Sequence, residues 1–88
     1  MLYMQNARKN SMSVKEYTEF LIRKIVKNNE LIKVEKIAED NIEVLVPEAE
    51  MKYVIGKNGE NIKAIRVLVN AFTYVNKLDK VNINVEAF

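Results

Sequence analysis

Apolar residues recur along the chain at two different periods, and the switches between them mark the elements. Val14, Tyr17, Leu21 and Ile25, with Phe20, Ile22 and Val26 beside them, fall three and four apart, which predicts one broad apolar helix face over residues 14–27. The start is written in Ser13-Val14-Lys15-Glu16, an S-x-x-E capping box whose hydroxyl and carboxylate satisfy the free amides of the first turn. Asn28-Asn29 is the expected stop. The period then changes to two. Ile32 and Val34 alternate with charged residues, followed by Ile37. After Ala38-Glu39-Asp40-Asn41, the run Ile42-Glu43-Val44-Leu45-Val46 alternates strictly. The short polar connection predicts an antiparallel hairpin of strands at 31–37 and 42–46.

Pro47 closes the second strand, because it cannot donate to a ladder, and Pro47-Glu48-Ala49-Glu50 suits a helix opening. A short helix through Met51, Val54 and Ile55 must stop at Gly56. A second begins near Glu60 and carries Ile62, Ile65, Val69 and Phe72 on one stripe, with Leu68 and Val75 beside it. A loop over 76–80 leads to a last alternating strand at 81–86. The order is αββααβ, an α+β pattern without repeats or low-complexity tracts. Residues 1–12 show no periodicity and are expected to form a flexible tail, with the domain over 13–88. Met12 is followed at once by the helix start, so translation could begin there.

Composition narrows the chemistry. In 88 residues there is no cysteine and no histidine, so a thiolate nucleophile, a Cys/His metal cluster, a Ser-His-Asp triad and a histidine general base are excluded. No cofactor is expected. Apolar stretches are short and interrupted by charge, which predicts a cytoplasmic protein without a membrane partner. The net charge is only +2, but it is unevenly placed: residues 1–30 carry +3, residues 31–50 carry −4 and residues 51–80 carry +4.

Both glycines of the chain lie in that last basic stretch, three apart, in Val54-Ile55-Gly56-Lys57-Asn58-Gly59-Glu60-Asn61-Ile62-Lys63-Ala64-Ile65-Arg66. Two helices must meet there across a four-residue turn, and glycine lets both the turn dihedrals and a passing phosphate backbone be accommodated. Asn58 suits a left-handed conformation, Lys57 brings positive charge to the tip, and the turn amides converge where a helix dipole favours an anion. The loop lacks the G-x-x-x-x-G-K-[ST] spacing of a nucleotide hydrolase.

VIGKNGENIKAIR resembles the VIGxxGxxIxxI signature of the KH domain, whose GXXG loop clamps about four nucleotides of single-stranded nucleic acid. LVPEAEMKYVIG before it and IKAIRVLVNAF after it are similar to the small stand-alone bacterial KH proteins of the KhpA (YlqC-like) type, and the resemblance covers residues 13–88. A helix and strand precede the shared βααβ core, which is the order of a type II KH domain: a three-stranded mixed sheet packed against three helices. The right-handed crossover rule makes the strands at 42–46 and 81–86 parallel, with 42–46 central.

The resemblance implies that Gly56, Lys57, Asn58 and Gly59 contact phosphates, mostly through backbone amides. Lys63 and Arg66, three apart on the second helix, would extend the phosphate track, and Val54, Ile55, Ile62 and Ile65 would contribute an apolar wall against the bases. Core packing is the plain alternative for those four apolar residues, and a solvated helix face for the two cations. Tyr17, Tyr53, Tyr74 and Phe88 read as packing residues rather than stacking platforms. Glu48/Glu50 and Glu39/Asp40 read as cap and loop acids.

The function so implied is non-catalytic: binding of single-stranded RNA, with single-stranded DNA also open, as an RNA chaperone or post-transcriptional regulator linked to cell elongation and division. A single clamp binds weakly, and the resemblance implies a homodimer or a heterodimer with a larger Jag/KhpB-type KH protein. The alternative is a KH-fold protein-interaction module that dimerises and binds little or no RNA, with part of the helix over 14–27 as a seam.

Overall fold

The computed structural model describes residues 12–88. Residues 1–11, most of the expected tail, lie outside them. The first helix, α1, spans Val14–Ile25 and starts as its sequence predicts: Ser13 Oγ accepts the Glu16 N–H at 3.0 Å, and Glu16 Oε1 accepts the Ser13 N–H at 2.9 Å. It ends two residues earlier than expected. Val26 is already extended (φ −88°, ψ 155°). The N–H groups of Lys27 and Asn28 donate to Glu50 Oε1 at 2.8 and 3.2 Å, while the Arg23 guanidinium donates to the Asn29 carbonyl. A carboxylate 22 residues further along the chain thus turns the backbone out of the helix.

Strands β1 (Lys33–Ala38) and β2 (Asn41–Val46) form the expected antiparallel hairpin across Glu39-Asp40, with Val34 opposite Val44 and Lys36 opposite Ile42. The register shifts between Lys36 and Ala38. That irregularity releases Ile37 from the alternation and leaves it 52% exposed, whereas Ile32 and Val34 are buried. Strand β3 (Asn82–Ala87) pairs with β2 in parallel, Ile42 beside Ile83 and Val44 beside Val85. The order β1-β2-β3 makes β2 central, as the crossover argument requires. Its inward residues Ile42, Val44 and Val46 are fully buried.

After Pro47 the chain makes a single 3₁₀ turn (Glu48–Glu50) before α2 (Met51–Ile55). A second 3₁₀ turn (Lys57–Gly59) leads into α3 (Glu60–Val75). The helices lie against the sheet and bury Val14, Ile22, Val54, Ile62, Ile65 and Val69 with the inner residues of the strands. Tyr17 stacks on Phe72, the ring centroids 4.6 Å apart, so the expected packing role of Tyr17 is met between α1 and α3. Two threonines enter this core with their hydroxyls satisfied, Thr18 Oγ1 donating to Val14 O and Thr73 Oγ1 to Asn70 O, both at 2.8 Å.

The C-terminus of α3 is closed by a Schellman motif. Lys77 is left-handed (φ 59°), its N–H donates to Tyr74 O at 3.2 Å, and the Leu78 N–H donates to Thr73 O at 2.8 Å. The outer face of α3 departs from expectation. Leu68 and Val75, placed beside the buried stripe, are 45% and 74% exposed, and Tyr74, read as a packing residue, is 84% exposed. Phe88, read in the same way, is also exposed.

Candidate nucleic-acid interface

The turn between α2 and α3 is built by three departures from ordinary backbone within four residues. Gly56 (φ 77°, ψ 171°) occupies a region open in practice only to glycine. Asn58 (φ 56°, ψ 25°) and Gly59 (φ 73°, ψ 17°) are left-handed, as the sequence predicts for Asn58. Gly56 ends α2 by donating to Lys52 O at 2.9 Å, and Gly59 donates back to Gly56 O at 3.1 Å. Asn61 locks the corner from behind: its Nδ2 donates to the Tyr53 carbonyl at 2.6 Å, tying α3 to α2.

This closure leaves the N–H groups of Lys57 and Asn58 without an acceptor among the described residues. They sit at the start of α3, where the helix dipole adds positive potential. Lys57 and Asn58 are exposed at the tip and Lys63 is exposed one turn further on. Among the described residues none of Lys57, Lys63 and Arg66 is engaged in an ion pair. The turn thus presents free backbone donors flanked by Lys57 and Lys63, with one exposed acid, Glu60, in the first turn of α3.

Arg66 is exposed but directed. Its Nη2 donates to the Ile83 carbonyl at 3.0 Å, which brings the guanidinium onto the free edge of β3. Asn70, one turn on, grips the same edge twice: its Nδ2 donates to Val81 O at 3.2 Å and its Oδ1 accepts the Val81 N–H at 3.0 Å. Because backbone groups alternate in direction along a strand, the N–H and C=O groups of Val85 and Ala87 face the same edge. α3 runs antiparallel to β3, so this unpaired half of the edge lies toward the glycine turn. At the other end, an open trough of about 640 Å³ is lined by Asn41, Arg66, Asn70, Lys80, Asn82 and Asn84.

The four apolar residues expected as a wall separate into two groups. Val54, Ile62 and Ile65 are 0%, 6% and 4% exposed and belong to the core, so for them the packing alternative holds and they offer no surface to a base. Ile55 is half-buried and remains at the surface. Gly56, Lys57, Asn58, Gly59 and Lys63 lie together around the turn, whereas Arg66 belongs to the β3 edge. Sequence reasoning missed Asn61 and Asn70. The available signal was an asparagine inside an apolar helix, a poor helix former that earns its place by a hydrogen bond elsewhere. Glu50, read as a cap acid, accepts the Lys27 and Asn28 amides rather than capping its own helix.

Among the described residues no helix is long and apolar enough to cross a membrane, and no group of three or more acidic side chains is placed to hold a metal ion. Neither the curated proteins nor the solved structures contain a match to this chain. The family model described as KhpA/KhpB, KH domain matches residues 15–86, which include every element from α1 to β3 except the ends of α1 and β3. With the αββααβ order, the mixed sheet and the glycine turn in place, the chain belongs to the KhpA/KhpB family of KH domains.

Proposed function

We propose that this protein is a non-catalytic binder of single-stranded RNA. The phosphates cross the turn at Gly56–Gly59, and the bases lie toward Ile55 and the open half of the β3 edge. The observation that carries the reading is the pair of free N–H groups at Lys57 and Asn58, presented at the positive end of the α3 dipole with Lys57 and Lys63 beside them. Lys63 extends the backbone track, and Arg66, with donors to spare beyond the Ile83 carbonyl, stands where the track meets the edge. The apolar side chains at Val54, Ile62 and Ile65 support the turn from within.

Contacts of this kind position a strand and carry little sequence information, which suits an RNA chaperone or post-transcriptional regulator acting in the cytoplasm on many targets, with a link to cell elongation and division. Single-stranded DNA offers the same phosphates and is the natural competitor in the assay. A single clamp is weak, so the working unit is a homodimer or a pair with a larger Jag/KhpB-type KH protein.

The test is the double substitution Lys57→Asp, Asn58→Asp, which places two carboxylates where phosphates would pass and leaves both glycines in place. Retention of single-stranded RNA in a filter assay is expected to fall to background while the thermal transition is unchanged. Unchanged retention by a folded variant would refute the clamp. It would favour the protein-interaction reading, which draws on the exposed apolar face of α3.

A further inference from the structure

We infer that the trough at the far end of the β3 edge is a base-reading site, and that it selects adenine in the strand that crosses the glycine turn. The inference rests on the RNA reading above and adds to it a specificity that the turn lacks. Asn41, Asn82 and Asn84 alternate with the buried Val81, Ile42 and Ile83, so their side chains stand on the face of the sheet turned away from the core. The parallel register sets Asn41 beside Asn82, and Asn84 Nδ2 lies 3.5 Å from Asn41 Oδ1. That contact is the only hydrogen bond any of these three side chains makes among the described residues. Asparagine is a poor strand former. Asn70 repays the fold by gripping Val81, but these three hold nothing in place. A local preference broken three times on one small surface, with no return to the packing, marks a place where a ligand uses the amides.

The surrounding charges decide the kind of ligand. Lys80 and Arg66 line the trough, but so does Asp40, and Glu43 is the register partner of Asn84. A run of bare phosphates would meet those acids, whereas an uncharged ring with its own donors and acceptors meets amides on either side of them. An asparagine amide presents an acceptor and a donor together, which match the N6 amino group and N7 of adenine at once. Guanine offers two acceptors on that edge, O6 and N7, and a pyrimidine has no N7. Arg66 adds a second preference in the same direction. Only its Nη2 is engaged, by the Ile83 carbonyl, so the guanidinium plane is left for stacking, and a purine covers more of it than a pyrimidine.

The trough is within reach of the clamp. Eight residues of α3 separate Asn58 from Arg66, about 12 Å at about 1.5 Å per residue. At the stacked rise of about 3.4 Å, a strand covers that distance in about four nucleotides. The phosphates are thus held at the turn without regard to sequence, and the base that arrives past Arg66 is the one that is read.

The test is a titration of the full chain with 5′-AMP, 5′-UMP and inorganic phosphate, followed by NMR of the side-chain amides. AMP is expected to shift the Asn82 and Asn84 signals, UMP to bind there at least about 5-fold more weakly, and phosphate to leave them in place. The double variant Asn82→Thr, Asn84→Thr keeps good strand formers at two exposed positions and removes the amides. It is expected to lose the AMP response with an unchanged thermal transition. An adenine-run RNA should bind the parent about 5-fold more tightly than a uracil-run RNA, and the double variant should abolish the difference by weakening the adenine run alone. Equal responses to AMP and UMP, phosphate reproducing the AMP shifts, or an adenine preference that survives the double variant would each overturn the proposal. Failure of the clamp reads differently. Lys57→Asp, Asn58→Asp is expected to leave the AMP response intact, and RNA retention that survives that variant refutes the clamp alone. An AMP response lost with Lys57 and Asn58 would place the base at the turn and overturn the trough.

Discussion

Gly56 and Asn61 are in such close register that neither tolerates a larger partner: a Cβ on Gly56 would lie 2.6 Å from Asn61 Cγ and 2.9 Å from its backbone nitrogen. Asn61 cannot withdraw, because its amide holds the Tyr53 carbonyl. The sharpness of the α2–α3 turn is thus fixed by contact from one side and by a hydrogen bond from the other. The free amides of Lys57 and Asn58 inherit their direction from that arrangement.

The two glycines should therefore respond differently to substitution. Gly56→Ala combines a forbidden dihedral pair with the clash and is expected to cost about 3 kcal/mol or more. At Gly59 a Cβ would meet nothing within 4 Å, and the left-handed φ is one that asparagine tolerates. Gly59→Asn is expected to stay within about 0.5 kcal/mol of the parent. Urea denaturation of both variants checks the difference, and equal losses would refute the asymmetry.

Lys77 offers the reverse case. It is a lysine in the left-handed position that closes a Schellman motif, where glycine carries no steric penalty. Lys77→Gly is expected to stabilise the fold by about 0.5–1 kcal/mol, read as a rise in the thermal midpoint.

Glu50 joins the end of α1 to the start of α2 through one carboxylate oxygen. Glu50→Ala returns the Lys27 and Asn28 amides to water at a cost of about 1–2 kcal/mol, and Glu50→Gln, which keeps an acceptor but loses the charge, should cost about half as much. Amide hydrogen exchange at residues 26–28 should accelerate in both variants, more in the alanine. Unchanged exchange would mean that the turn holds without the carboxylate.

Salt dependence separates phosphate contacts from the rest of the surface. If Lys57 and Lys63 each neutralise one phosphate, replacing either by alanine should reduce the slope of log affinity against log salt by about 0.7. Lys24, whose ammonium lies 5.1 Å from the Phe20 ring centroid on α1, serves as the control. Lys24→Ala is expected to leave the slope unchanged in the same fluorescence-anisotropy titration.

Much of this architecture is legible because the chain changes period cleanly. Strict alternation at Ile42, Val44 and Val46 identifies β2, and the crossover rule then fixes its central place and its parallel partner. The Gly56–Gly59 spacing locates the turn, since no other segment contains a glycine. Local pattern fails where the deciding partner is distant in sequence. The end of α1 depends on Glu50, and the exposure of Ile37 depends on a slip in pairing with β2. On α3 the apolar residues surround most of the helix, so periodicity alone does not say that Ile62 and Ile65 point inward, as Val54 does from α2, while Leu68 and Val75 point out. Asn70 is illegible for a similar reason, because its purpose lies on a segment 11 residues away.

That asparagine has a consequence beyond holding β3 in place. An open strand edge is a template on which any stray extended segment can dock and begin an aggregate. Here a side-chain amide already fills both hydrogen-bonding positions at Val81, and Arg66 fills the next carbonyl. On this edge an intruding strand would find free partners only at the Ile83 N–H and over the few residues from Val85 to Ala87, a short and interrupted run for nucleating a sheet. The protein can keep an edge available to a ligand while denying it the length that self-association would need.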